Sequence, residues 1–326
     1  MSDFTNPFDE AGFASGTVTI PPPTNDPDVH VSIFYRHFVS ASPEARPILL
    51  LHGHPQTHVI WSAVAPALAA TGKWHVVVPD NRGNGASSAP SAKNDGERYS
   101  RYSKREMARD MVVLMSELGY ETFHVVAHDR GARVAHRMAL DWPAKPVRLI
   151  LLDIAPTLDM YETTDYRFAT AYWHWFFLLQ PNAEAFITAN PSAYLDSLVT
   201  RFPRSHPQAA SPTAAIDAWR MSAYLANCTA PTHIAAMCED YRASAPTNAP
   251  DLHLDRSDRQ AGARIQCPTR VLWGKNGIIQ AMYAGGLQLW QNCCEGEVRG
   301  SALECGHYIP EEAPHEVLHE VDAFFT

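Results

Sequence analysis

Several signals that would point at once to a function class are missing from this chain of 326 residues. No apolar run approaches the length of a bilayer-spanning helix, which argues against a membrane protein. Residues 1–16 mix Asp, Asn, Pro and Phe without a basic start and an apolar block, so they do not read as a signal peptide. The six cysteines (Cys228, Cys238, Cys267, Cys293, Cys294 and Cys305) are scattered and show no metal-ligand spacing. Reduced thiols in a cytoplasmic protein with no metal or cofactor is the simple expectation. Basic charge is also short, with 26 Lys and Arg against 35 Asp and Glu and a net charge of −9. Such a surface repels nucleic acid and anionic membranes, and neither is expected as a partner. There is no internal repeat and no low-complexity tract.

The apolar fraction of 46% is enough for a sizeable core. Residues 29–38 alternate apolar and polar as a half-exposed strand does. Short β-rich runs follow at 48–51, 75–78, 123–127 and 148–152, each bounded by turn residues or a charge, as buried parallel strands are. Helical spacing lies between them, at 103–118 through Met107, Met111, Leu114, Met115 and Leu118, and again at 131–141. The alternation predicts an α/β fold, a mostly parallel sheet flanked by helices. After Pro156 the rhythm breaks into an aromatic-, Pro- and Ala-rich stretch without a convincing strand. It resumes at 269–274, at 296–301 and in a last helix over 311–325. We therefore expect a core in two parts, 1–155 and 256–326, split by an inserted helical cap over 156–255.

Asp129 ends one of the apolar runs and opens a helix, with Ala127 and Gly131 at minus two and plus two. Small residues at those places suit the sharp strand-turn-helix elbow of the α/β-hydrolase fold, where the nucleophile sits. A carboxylate there would attack saturated carbon and form an alkyl-enzyme ester, helped to stay ionised by the helix N-terminus. Asp is also a common helix N-cap, so the elbow pattern alone leaves that reading open. His52-Gly53-His54-Pro55 follows the 48–51 strand, where this fold places an oxyanion-hole amide. The backbone N–H groups of His54 and Arg130 are the candidates, and the His52 and His54 side chains are expected to be structural. His307, in the loop before the last helix, is the candidate base in the chain order nucleophile, acid, histidine. The acid could come from the end of the 148–152 strand or from the loop after Gly274. That loop, Lys275-Asn276-Gly277, holds no carboxylate, which leaves Asp153.

At this point the chain resembles the fluoroacetate (haloacetate) dehalogenases of the α/β-hydrolase superfamily. The matching segments are His52-Gly53-His54-Pro55-Gln56-Thr57-His58, His128-Asp129-Arg130-Gly131-Ala132-Arg133 and Leu152-Asp153-Ile154. Trp173-His174-Trp175, Met237-Cys238-Glu239-Asp240-Tyr241-Arg242 and Gly306-His307-Tyr308-Ile309-Pro310-Glu311-Glu312 complete the set, in order, from about residue 46 onward. His-Gly-x-Pro is shared with epoxide hydrolases and haloalkane dehalogenases. The resemblance implies Asp129 as nucleophile, His307 as base and Asp153 as its partner. It also implies Arg130 and Arg133 as clamps for a substrate carboxylate, and His174, Trp175 and Tyr241 as donors to the departing halide. Dimers are common in that family, so a homodimer is the assembly it implies. Departures are His54 where the family usually has Phe, Ala127 for the first Gly of the elbow, and residues 201–211, which read as a separate cap loop.

Elementary physics at these positions agrees. Arg130 and Arg133 share a helix face and oppose the helix dipole, so a bound carboxylate met by forked guanidinium donors would compensate them. The alternative is an acidic side chain elsewhere that pairs with Arg133. The expected substrate is a small anion, and the expected reaction is hydrolytic dehalogenation of a 2-haloacid. An epoxide hydrolase with the same Asp-His-Asp set is the nearest alternative, with Tyr161 or Tyr172 beside Tyr241 as proton donors. A non-catalytic ligand-binding member of the fold is a third.

Overall fold

The computed structural model describes residues 5–92, 99–200, 216–245 and 249–326; the 201–211 segment lies outside the described residues. Eight strands form one sheet: β1 (Ala14–Ile20), β2 (Val31–Phe38), β3 (Arg46–Leu51), β4 (Trp74–Pro79), β5 (Phe123–His128), β6 (Pro146–Leu152), β7 (Thr269–Gly274) and β8 (Arg299–Leu303). Their spatial order is β1-β2-β4-β3-β5-β6-β7-β8. β1 and β2 are antiparallel to their neighbours and the remainder run parallel.

The continuous apolar runs have a physical cause. Alternate residues of each central strand enter two different cores. Leu49, Leu51, Val125, Ala127, Leu149 and Leu151 pack on one face, under the helices Lys104–Glu117 and Asp129–Asp141. Ile48, Leu50, Val126, Ile150 and Leu152 pack on the other, under the helices Val64–Ala70 and Pro314–Phe325. Both faces are covered, so neither needs polar residues.

The order of the strands places the site. β3 lies between β4 and β5, so the chain leaves β3 toward one side of the sheet and leaves β5 toward the other. A crevice opens at the carboxyl ends of strands where the order reverses in this way. The register brings those ends level, with Leu51 beside Ala127, His128 beside Leu152 and Leu152 beside Leu272. The residues that follow, His52, Asp129 and Asp153, therefore share one edge.

Between Leu152 and Thr269 every described element is a helix. Two strands depart from the expected pattern. β1 was not foreseen, and its burial explains why: six of its residues are at least partly exposed and Ile20 is the buried one. β8 starts three residues later than expected, since along it Leu303 alone is buried. No described helix is long and apolar enough to cross a membrane.

Candidate active site

Close packing at the elbow explains its small residues. Asp129 sits at φ 47°, in the left-handed region that side chains rarely adopt. A Cβ on Gly131 would lie 2.4 Å from the His52 carbonyl oxygen and 2.8 Å from the Leu51 carbonyl carbon. A Cβ on Gly53 would lie 2.5 Å from Asp129 Cβ. The two loops are therefore pressed together, and the His54 amide donates to Asp129 Oδ1 at 3.0 Å.

Asp153, also left-handed at φ 50°, accepts from the Gly274 amide through Oδ1 (2.9 Å) and meets His307 Nδ1 through Oδ2 (2.5 Å). Nδ1 must donate to that carboxylate, which leaves the lone pair of His307 on Nε2. Nε2 points toward Asp129, 3.7 Å from Oδ2. Asp129, Asp153 and His307 are all buried. Burial alone would favour a protonated Asp129. His307 beside it, Arg133 and the His54 amide outweigh that effect and hold the carboxyl well below the usual carboxylate range.

His128, which the sequence motifs leave without a role, braces the candidate base. Its Nε2 donates to the carbonyl oxygen of His307 (2.8 Å), which anchors the backbone of the candidate base. Burial and the nearby His307 push it down to about 3, so it is a neutral strut. His52 is a second strut. It accepts from the Asn81 amide at Nε2 (2.9 Å), and its Nδ1 lies 2.9 Å from the Gly53 carbonyl.

The two arginines are held differently from the expected pair of open forks. Arg130 gives Nε to Asp240 Oδ2 (2.8 Å) and Nη2 to the Asp240 carbonyl (2.7 Å) and Ser244 Oγ (2.9 Å). Its Nη1 is buried with no hydrogen-bond partner. Arg133 gives Nη1 to Thr157 Oγ1 (2.7 Å) and Ala155 O (3.2 Å), and Nη2 rests on Met160 Sδ (3.3 Å). Its Nε has no partner. The acidic partner weighed for Arg133 thus belongs to Arg130. Among the described residues no carboxylate lies within ion-pair distance of Arg133. Asp240 also pairs with the buried Lys104, and these two cations hold its carboxyl at about 2 against the effect of burial. Nothing in the spacing of the sequence pointed to this tie.

The aromatic residues converge from the helical insertion. His174 and His54 stack with ring centroids 6.2 Å apart and planes at 11°. Tyr241 stands edge-on to both, at 5.8 and 5.5 Å. Trp175 is 6.2 Å from Tyr241, fully buried, and its indole Nε1 has no partner. Arg130 lies 4.1 Å over the Tyr241 ring and Arg133 lies 4.7 Å over the Trp175 ring. His54 Nε2 is 2.9 Å from Tyr194 Oη, so this side chain forms part of the aromatic wall. Among the described residues no cluster of three metal-ligating side chains occurs.

A sheet with its elbow, strand-end carboxylates and histidine at one edge defines a hydrolase class, and comparison with known proteins assigns the family. Residues 46–314 match the family model of the alpha/beta hydrolase fold, and the chain belongs to that family. It is 36% identical over 281 residues to a fluoroacetate dehalogenase from a Burkholderia species, covering 86% of each chain. A soluble epoxide hydrolase from a Corynebacterium species is 29% identical over 293 residues, covering 89% of this chain and 93% of that one. Among solved structures, an alpha/beta hydrolase from a Nostoc species superposes with a TM-score of 0.82. That structure is 42% identical, over 97% of this chain and 98% of its own. The protein is a hydrolase with dehalogenase and epoxide hydrolase relatives.

Proposed function

We propose that this hydrolase works through an aspartyl ester and removes halide from a 2-haloacid such as fluoroacetate, leaving a 2-hydroxy acid. The observation that carries the reading is Arg133, a buried cation that feels the Asp129 carboxylate but has no carboxylate within ion-pair distance among the described residues. A buried charge of that kind calls for an anion, and the substrate carboxylate supplies one.

In the first step Asp129 Oδ2 attacks the α-carbon in line. A C–O bond forms as the carbon–halogen bond breaks, and halide leaves with the bonding pair. The carbon is inverted. His174, Trp175 and Tyr241 are donors suited to the charge that develops on the halogen. In the second step His307 Nε2, oriented by Asp153, takes a proton from water while its oxygen attacks Asp129 Cγ. The oxyanion gathers on Oδ1, against the His54 amide and the Arg130 amide. Collapse breaks the Cγ–Oδ2 bond and releases the hydroxy acid, whose oxygen takes the proton from His307. The Asp129 carboxyl, now carrying the water oxygen, gives up its remaining proton to solvent and is again a carboxylate.

The epoxide reading uses the same two steps. It is supported by the Corynebacterium relative and by two phenols, Tyr161 and Tyr241, near the arginines. The deciding assay measures halide release from fluoroacetate and chloroacetate beside diol formation from a simple epoxide. Halide is expected, with turnover abolished in Asp129→Asn. Diol without halide reverses the ranking, and ligand binding without any turnover points to a non-catalytic member of the fold. In labelled water, a single turnover should place the label first in Asp129.

A further inference from the structure

Among the described residues, buried nitrogen and oxygen atoms without a hydrogen-bond partner include four around the two arginines: Arg130 Nη1, Arg133 Nε, Trp175 Nε1 and Tyr161 Oη. Buried polar groups are rarely left unpaired, and four together mark a place where a ligand completes the set. Tyr161 is the one to which neither the sequence motifs nor the proposed mechanism gives a part in dehalogenation. It lies on the helix Thr157–Glu162, whose Thr157 and Met160 side chains hold both terminal nitrogens of Arg133. Positions 157, 160 and 161 share one helical face, so the face that grips Arg133 also carries Tyr161. Its ring packs on Trp175 with centroids 4.9 Å apart, directly beside the indole that Arg133 covers.

We propose that Tyr161 is a third substrate-binding group, whose phenol O–H donates to the same anionic group as Arg130 Nη1 and Arg133 Nε. The inference rests on the anionic-substrate reading above and deepens it. The count of donors favours a carboxylate. Two carboxylate oxygens offer about four lone-pair sites and can accept from all three groups. An epoxide has a single oxygen with two lone pairs and would leave at least one buried donor unpaired. The phenol is also fit to donate. Burial raises its pKa far above the ordinary tyrosine value, although Arg130 and Arg133 pull it down, so it keeps its proton at neutral pH. Because the forks of both arginines are occupied by the protein, each guanidinium offers the ligand one partner-free nitrogen. A third donor then supplies orientation that a bidentate fork would otherwise give.

The test uses the full chain carrying Asp129→Asn, which prevents turnover, with and without Tyr161→Phe. Acetate and chloride are titrated separately by calorimetry. Loss of a hydrogen bond to a charged group should weaken acetate binding by about tenfold or more and leave chloride unchanged. Without ligand, Tyr161→Phe should keep its Tm or raise it, because the hydroxyl it removes has no partner. In the active enzyme, Tyr161→Phe should raise KM for chloroacetate more than it lowers kcat. Unchanged acetate affinity overturns the inference, as does a loss confined to chloride, which would put Tyr161 with the leaving group. A lower Tm of the free variant with unaltered acetate binding would mark a structural hydroxyl and overturn it too. If the Asp129→Asn parent binds no short carboxylate at all, the anionic-substrate reading itself falls.

Discussion

At Arg130 the charge balance depends on a carboxylate 110 positions further along the chain, in a different layer of the molecule. Asp240 accepts from Arg130 and from Lys104, and Asp251, pushed up to about 6 by burial, faces the same lysine at 3.9 Å. Breaking a buried pair from one side leaves an uncompensated cation, which costs about 3–5 kcal/mol. An exposed pair such as Lys145–Glu121 contributes less than about 1 kcal/mol. Asp240→Asn should therefore lower unfolding stability several-fold more than Glu121→Gln, as read from urea denaturation. Equal losses would mean that Asp240 is no more than a surface partner. The sign with pH follows from its depressed pKa. The contribution is present above the ordinary value of 3.8 and is lost as pH falls through about 2.

The elbow is the element on which the site depends most, and its tolerance can be predicted atom by atom. A side chain on Gly131 would meet backbone at 2.4 Å, and backbone of a central strand end cannot move aside. Gly131→Ala should cost about 1–3 kcal/mol or prevent folding. Gly53→Ala should displace Asp129 and lower activity more than stability. Gly296→Ala, with nothing within 4 Å, should change neither, and a matching loss there would refute the packing argument. Elements of this kind are legible in a sequence because they are local. Strands buried on both faces show as unbroken apolar runs, and Asp129, Asp153 and His307 stand at strand ends or loops in a set order. β1 was not legible because its exposed residues carry no periodic signal. The pairing of Asp240 with Arg130, and the place of Tyr161 beside Arg133 and Trp175, were not legible because they depend on how helices of the insertion cross the elbow. Local spacing carries no trace of that crossing. His54 shows the same limit. Its backbone amide is readable from the loop, whereas its contact with Tyr194 spans 140 positions.

Across the whole molecule, a net charge of −9 surrounds the buried guanidinium groups of Arg130 and Arg133, so on the proposed reading the attraction for an anionic substrate would be local and short-ranged. The interior also sets how the protein responds to acid. His124, His128 and His136 are buried and neutral, pushed down to about 4, 3 and 3 from the ordinary 6.5, chiefly by burial. Each takes up a proton readily only when the chain unfolds. The stability each contributes is complete above pH 6.5 and declines as pH falls toward its folded value, by about 1.4 kcal/mol per pH unit. Asp251 works in the opposite sense between about pH 6 and 3.8, since there the folded state holds the extra proton. His124 gives the cleanest test because it lies away from the site, packed between Phe325 at 4.6 Å and Trp74 at 5.5 Å. Its Nδ1 has no hydrogen-bond partner, so His124→Phe keeps an aromatic ring at this place without breaking a bond at Nδ1, and removes the titration. Stability measured from pH 7 to 4.5 should fall less steeply in the variant, by about 1.4 kcal/mol per pH unit below pH 6. Parallel curves for the two proteins would show that His124 is already protonated in the folded state.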